Sequence, residues 1–217
     1  TGDFNGDNVL DLIVLNENAR TLTVLAGNGD GTFQSRPAVT FSSTPRDAVL
    51  AKFNGDTNSD LAVVLTSSQV AVLPGNGDGT FGAPEFFATG SQPVRVAAGD
   101  VNGDGFADLV TANQASDDIS VLPGNGDGTL QPESRFATGE NPRGIAIVNL
   151  NSDTNLDLVI SHIGSDYHAI LLNDGAGGFT VTASQTTGMG GSFSGVNSLT
   201  MLNTDAGSVG EGAAGMS

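Results

Sequence analysis

The stretch Asp100-Val101-Asn102-Gly103-Asp104-Gly105-Phe106-Ala107-Asp108 puts side-chain oxygens at its positions 1, 3, 5 and 9. That spacing suits a hard cation. Calcium takes about six to eight oxygen ligands at roughly 2.3–2.6 Å. A loop curled round the ion turns alternate side chains inward, and the position-7 carbonyl, here that of Phe106, adds a donor. The EF-hand begins in the same way, but it then needs a bidentate Glu at position 12 on a helix. Position 12 here is Thr111, within a strand-like run, so this is not an EF-hand.

Three more loops keep the spacing. The first offers Asp3, Asn5, Asp7 and Asp11 with the Val9 carbonyl, and the second offers Asn54, Asp56 and Asp60 with the Asn58 carbonyl. The fourth offers Asn149, Asn151, Asp153 and Asp157 with the Asn155 carbonyl. It holds only two carboxylates and should bind more weakly than the first loop or the third. The second loop opens on Lys52, the one lysine of the chain. Its ammonium could repel an ion or replace it by pairing with Asp56 or Asp60, so this loop is expected to be the weakest or empty. The competing reading is an Asx-rich turn whose Asp and Asn side chains cap their own backbone. Four loops in register favour calcium, while Lys52 keeps the turn reading open for the second loop.

The loops recur at one period. Their first residues, Asp3, Lys52, Asp100 and Asn149, stand 49, 48 and 49 residues apart. A glycine-rich motif keeps step: GNGDGTF from Gly27 and Gly75, GNGDGTL from Gly124, and the looser NDGAGGF from Asn173. Pro45, Pro93 and Pro142 each lie seven residues before a loop. Between these markers run short segments rich in β-branched, other apolar or aromatic residues, such as Leu12–Leu15, Leu61–Leu65, Val70–Leu73 and Glu85–Ala88, which read as strands. Four strands in about 49 residues leave no room for a helix and match a propeller blade. Ala48–Ala51 and Ile145–Val148, which precede acidic loops, are apolar at nearly every position, which predicts an innermost strand covered on both faces. The reading is all-β: a β-propeller of four-stranded blades, four present. The blades fall at about 1–47, 48–96, 97–145 and 146–202, and an irregular tail covers 203–217. Ser198–Leu202 reads as one more inner strand after an insert at Ala183–Gly195. Either it closes a four-bladed ring or the four blades are part of a larger propeller. A start almost inside a motif leans towards an excerpt.

These residues resemble the FG-GAP/VCBS repeat family, which includes the propellers of integrin α-subunits and many bacterial surface proteins. The likeness covers about 180 of the 217 residues, with the motif intact at Asp100–Asp108 and Phe81-Gly82-Ala83-Pro84 following a GNGDGT turn. It implies calcium in the loop joining each blade's first two strands, with ligands at positions 1, 3, 5, 7 and 9. The chain departs from the pattern at Lys52, in the fourth turn and beyond Asn203. The family usually has seven blades.

Net charge is −17, from 24 acidic and 7 basic side chains, and ten of the acids fall in the four loops. Such a chain repels nucleic acid and anionic lipid. No apolar run approaches the ~18 residues that span a bilayer, so no membrane insertion is expected. Cysteine is absent, which removes disulfides and thiolate sites. The glycine-rich motif is a hairpin turn, not a phosphate cradle, since no Lys-Ser/Thr follows it. His162, Asp166 and His168 could hold a transition metal, but exposed histidines are the default expectation. Gly191-Ser192-Phe193-Ser194-Gly195 has no strand–helix elbow to make Ser a nucleophile. Arg46 and Arg143 should pack on acids of a neighbouring blade or face a ligand.

The expected function is therefore a calcium-binding, non-catalytic module for adhesion, recognition or scaffolding. A protein or glycan ligand would sit on a propeller face. Millimolar calcium outside the cell suits open loops, so an extracellular or cell-surface, secreted, bacterial setting is expected. The alternatives are a propeller-type polysaccharide lyase or hydrolase, or a carbohydrate-binding accessory domain of a larger enzyme.

Overall fold

The computed structural model describes residues 1–163 and 167–186. It holds four antiparallel sheets, each made of strands consecutive in sequence. The first comprises β1 (Leu12–Asn16), β2 (Thr21–Gly27), β3 (Phe33–Ser35) and β4 (Val39–Thr40). Here β2 pairs β1 on one edge and β3, then β4, on the other. The second runs β5 (Pro45–Ala51), β6 (Asp60–Leu65), β7 (Gln69–Leu73) and β8 (Glu85–Ala88). The third runs β9 (Pro93–Gly99), β10 (Asp108–Asn113), β11 (Asp118–Leu122) and β12 (Ser134–Ala137). The fourth runs β13 (Pro142–Val148), β14 (Asp157–His162), β15 (Tyr167–Asn173) and β16 (Phe179–Thr186).

Strand register is copied from blade to blade. Leu12 faces Leu25, Leu61 faces Leu73, Leu109 faces Leu122, and Leu158 faces Leu171. The proline markers open β5, β9 and β13, each beside an irregularity of register. A strand's first residue is where a missing N–H costs least. β5 lies against β9, and β9 against β13, so the first strands of successive sheets gather side by side. The fold is an all-β propeller with four blades. The sheets open at Pro45, Pro93 and Pro142, three to four residues ahead of the boundaries read from the motif period.

The core lies between sheets. One apolar cluster joins Phe4, Leu22, Val24 and Phe41 to Leu61, Val63 and Leu65. A second joins Ala62, Val64 and Val70 to Val96, Leu109 and Leu122, and a third joins Val110, Ile119 and Val121 to Leu158, Ile160 and Leu171. Odd-numbered residues of β6 thus face the first blade and even-numbered residues the third. This corrects one expectation. The strands buried on both faces are β6 and β10, which follow the acidic loops, together with β11 and all of β7 but Gln69, whereas β5, β9 and β13 are mostly half-buried. Each of β5, β9 and β13 is an edge strand of its sheet and pairs with another strand on one side only. Ser198–Leu202 and all but Ala183–Thr186 of the insert lie outside the described residues.

Val63 and Val14 hold equivalent repeat positions, but only Val63 is fully buried. Val63→Ala should cost roughly 2 kcal/mol for two buried methyl groups and the cavity they leave. Val14→Ala should cost less than half as much. Urea unfolding of the two variants checks the order.

Candidate metal-binding loops

The position-9 aspartates Asp11, Asp60, Asp108 and Asp157 are buried, and each carboxylate is held in the same way. One oxygen accepts the backbone N–H of loop position 2: Phe4 at 2.8 Å, Phe53 at 2.8 Å, Val101 at 2.9 Å and Leu150 at 2.8 Å. The other accepts the N–H that opens the glycine-rich motif: Gly27 at 2.8 Å, Gly75 at 2.9 Å, Gly124 at 2.8 Å and Asn173 at 2.9 Å. One side chain therefore ties the acidic loop to the turn two strands away.

These aspartates, expected as ion ligands, are thus also a structural clamp. The signal lay in the first glycine of each turn. A Cβ on Gly75 would stand 2.2 Å from the Ser59 carbonyl oxygen, and one on Gly124 2.2 Å from that of Ala107. In the fourth blade Asn173 takes this place. Its amide donates to the carbonyls of Val101 at 2.6 Å and Leu156 at 2.8 Å.

Positions 3 and 5 form consecutive Asx turns in all four loops. Asn5, Asn54, Asn102 and Asn151 accept the N–H of position 5 at 2.9–3.0 Å. Asp7, Asp56, Asp104 and Asp153 accept the N–H of position 7, from Val9, Asn58, Phe106 and Asn155, at 2.7–2.8 Å.

Position 1 divides the loops into two kinds. Asp3 gathers the N–H groups of Gly6 and Asn8, and Asp100 those of Gly103 and Gly105. Those four donor residues have φ between 65° and 89°, the left-handed region. Thr57 and Thr154 stand at position 6 in the other two loops, and neither has positive φ. Lys52 is exposed and pairs with neither Asp56 nor Asp60, so the replacement of an ion by its ammonium is not seen. Instead Asn54 turns its amide onto Asp60 at 3.3 Å. In the fourth loop the Asn149 amide bonds the Asp153 carbonyl.

The carboxylates crowd one another. Burial pushes the Asp108 carboxyl above its ordinary value of 3.8, and the charges of Asp104 and Asp100 add to the rise, against hydrogen bonds from Gly124 and Val101. Asp3 is drawn below that value, chiefly by the N–H of Asn8. Among the described residues no three His, Cys, Asp or Glu side chains converge to hold an ion by themselves. The arrangement is the self-capped Asx turn. Its donors remain hard oxygens, and several, such as Oδ1 of Asn102 and of Asp104, keep a lone pair beyond the one N–H they accept. Such a donor set fits calcium, with Val9, Asn58, Phe106 and Asn155 offering carbonyls.

The glycine-rich motifs are turns, as expected. Asp30, Asp78 and Asp127 each accept both the N–H and the hydroxyl of the Thr two residues on. That hydroxyl is the main reason each carboxyl lies below 3.8. The second and third turns abut the acidic loop of the preceding blade. Gly79 N–H donates to the Phe4 carbonyl and Gly128 N–H to that of Phe53, both at 2.8 Å. Arg46 pairs with Glu17 of the preceding blade at 3.2 Å, and Arg143 donates to Gln114 at 3.3 Å. His162 is buried rather than exposed and His168 is half-buried. Asp166 and the Gly191–Gly195 segment lie outside the described residues.

A model of the FG-GAP-like repeat matches residues 3–63, 52–111 and 100–160. The chain belongs to the FG-GAP-like repeat family. The three FG-GAP-like matches start at Asp3, Lys52 and Asp100, the first residues of three acidic loops. Among solved structures the chain is similar to a protein from Lactobacillus plantarum (TM-score 0.67, 18% identity, 82% of this chain and 54% of that one). It is also similar to an Agrocybe aegerita lectin described as recognising non-reducing terminal N-acetylglucosamine (TM-score 0.53, 21% identity, 84% and 50%). A third is BBS1N, solved in complex with ARL6DN (TM-score 0.52, 12% identity, 85% and 64%). At these identities the likeness is one of fold. The chain spans about half the length of the first two. No curated protein matches it.

Asp60→Ala should leave the Phe53 and Gly75 N–H groups without their acceptor and cost roughly 2–5 kcal/mol. The loss should appear equally in chelator, measured by thermal unfolding. Thr80→Val should return the Asp78 carboxyl towards 3.8 in a carbon-13 NMR titration. The sign follows from linkage: a carboxyl lowered by folding stabilises above its unfolded value, and that contribution fades as pH falls through the folded one.

Proposed function

We propose that the chain is a calcium-binding, non-catalytic propeller module, extracellular or at a cell surface, that presents a glycan or protein ligand site on one face. One observation carries the reading. Four loops at equivalent places in four blades offer oxygen donors at the same positions, and the two that begin with Asp share a distinct left-handed conformation. Calcium supplies a positive centre that neutralises clustered carboxylates. The chain's own residues hold the loops curled, through the position-9 clamp and the Asx turns. Loops 1 and 3 are the strongest sites, loop 4 is weaker with two carboxylates, and loop 2 is weakest.

A glycan is the favoured ligand class, because one fold relative is a lectin described as recognising N-acetylglucosamine. The net charge of −17 argues against nucleic acid and anionic lipid as partners. Among the described residues no helix is long and apolar enough to cross a membrane. Exposed loops with few charges suit millimolar calcium, which supports a place outside the cell.

Calcium should raise the melting temperature and chelation lower it. Each site filled at ten times its dissociation constant adds about 1.4 kcal/mol. Lys52→Asp should add one bound calcium per chain in isothermal titration, and Asp100→Asn should remove or weaken one. An identical melt with and without chelator, together with no binding heat, would overturn the reading.

A further inference from the structure

We propose that Asn54 is a modification site: in the folded chain it deamidates ahead of the other asparagines that precede glycine, and it thereby gives the second acidic loop a third carboxylate. Six Asn-Gly pairs occur, at Asn5, Asn28, Asn54, Asn76, Asn102 and Asn125. In such a pair the glycine nitrogen can attack the asparagine Cγ, because no side chain on the glycine blocks the approach. A five-membered succinimide forms, the Cγ–Nδ2 bond breaks, and ammonia leaves with the proton from the glycine nitrogen. Water then opens the ring to aspartate or isoaspartate. The net change is the uptake of water and the loss of ammonia, so no other reagent is needed.

Two features of the fold decide which pair reacts. The first is the asparagine oxygen. Negative charge builds on it as the tetrahedral centre forms, and an N–H aimed at that oxygen stabilises the charge. Oδ1 of Asn5, Asn54 and Asn102 accepts the N–H of the residue two further on, at 3.0, 3.0 and 2.9 Å. Asn28, Asn76 and Asn125, in the glycine-rich turns, instead donate from Nδ2 to the hydroxyls of Thr32, Thr80 and Thr129 at 2.8–2.9 Å. Among the described residues no donor reaches their Oδ1.

The second feature is the glycine nitrogen, which attacks only as its proton leaves. Gly6 N–H donates to Asp3 at 2.8 Å and Gly103 N–H to Asp100 at 2.7 Å. A carboxylate there holds the proton and repels the negative charge left on nitrogen. Loop 2 has Lys52 in place of those aspartates, and among the described residues Gly55 N–H meets no acceptor. Its backbone differs as well: Gly6 and Gly103 have φ of 75°, whereas Gly55 is outside the left-handed region. Gly55 is exposed, so solvent base reaches it. Of the six pairs, only Asn54-Gly55 combines a polarised amide with an unengaged nitrogen. The product alters the loop. Asn54 Nδ2 lies 3.3 Å from Asp60 Oδ1, and an oxygen in its place repels that carboxylate. On the calcium reading, the weakest loop then gains affinity for the ion; the deamidation itself is independent of that reading.

The test holds the folded chain in chelator and mildly alkaline buffer, so that no calcium contributes, and follows each pair by peptide mass spectrometry over time. Asn54 should convert at least about fivefold faster than Asn5 and Asn102, the factor expected from one hydrogen bond to a carboxylate. It should also lead Asn28, Asn76 and Asn125. In urea the six rates should converge, because aspartate follows the glycine in every pair. Lys52→Asp should slow Asn54 to the rate of Asn5, and Asp100→Ala should hasten Asn102, with circular dichroism showing both variants folded. Another pair leading Asn54 in the folded chain, equal rates there, a lead that persists in urea, or an Asn54 rate indifferent to Lys52→Asp would overturn the proposal.

Discussion

The structure turns on a buried carboxylate that accepts two backbone N–H groups from segments 22 or 23 residues apart. In each blade the aspartate ending the acidic loop receives one N–H from the start of that loop and one from the start of the glycine-rich turn. A buried charge is tolerable only when its oxygens are occupied, and here both are. The bonds fix where the second strand begins and how the third strand ends. Little else could hold a nine-residue loop with no secondary structure of its own against a sheet.

From that clamp the array acquires a direction. The first three acidic loops each rest on the glycine-rich motif of the next blade, whose backbone N–H (Gly79, Gly128) or side-chain amide (Asn173) donates to the loop carbonyl. Inter-blade packing is otherwise apolar, with local exceptions. Asp47 on β5 accepts the N–H of Val96 at 3.0 Å and lies 3.6 Å from Arg95, and burial raises its carboxyl despite both partners. The interface between the second and third blades also holds a buried polar group of Thr111, Asn113, Asp118 and Ser120. Blade 2 has Val63, Leu65 and Ala71 at the positions of Thr111, Asn113 and Ser120.

Much of this was legible in the residues. The period of the acidic loops, the glycine-rich turns and the prolines together announce four-stranded blades, because turn chemistry is local and repeats itself. The burial pattern was less legible. Ala48–Ala51 and Leu61–Leu65 are equally apolar, and only the packing of sheets decides that the second is enclosed and the first half-open. The role of position 9 was hidden for a related reason. Its partners are main-chain N–H groups, which carry no letter in a sequence, and the one clue was a glycine whose side chain would have struck a carbonyl. His162, expected to be exposed, stands where Asn16, Leu65 and Asn113 stand in the other blades and is buried.

The separation of anchoring from the outer loop positions has an evolutionary consequence. Lys52 stands where two of its counterparts are aspartates, yet Asp60 keeps both of its bonds and the blade keeps its register. Mutational drift at the first position is therefore uncoupled from folding. Selection can retune or abandon any single loop without endangering its neighbours, and descendants of one ancestral blade can diverge in charge while still stacking alike.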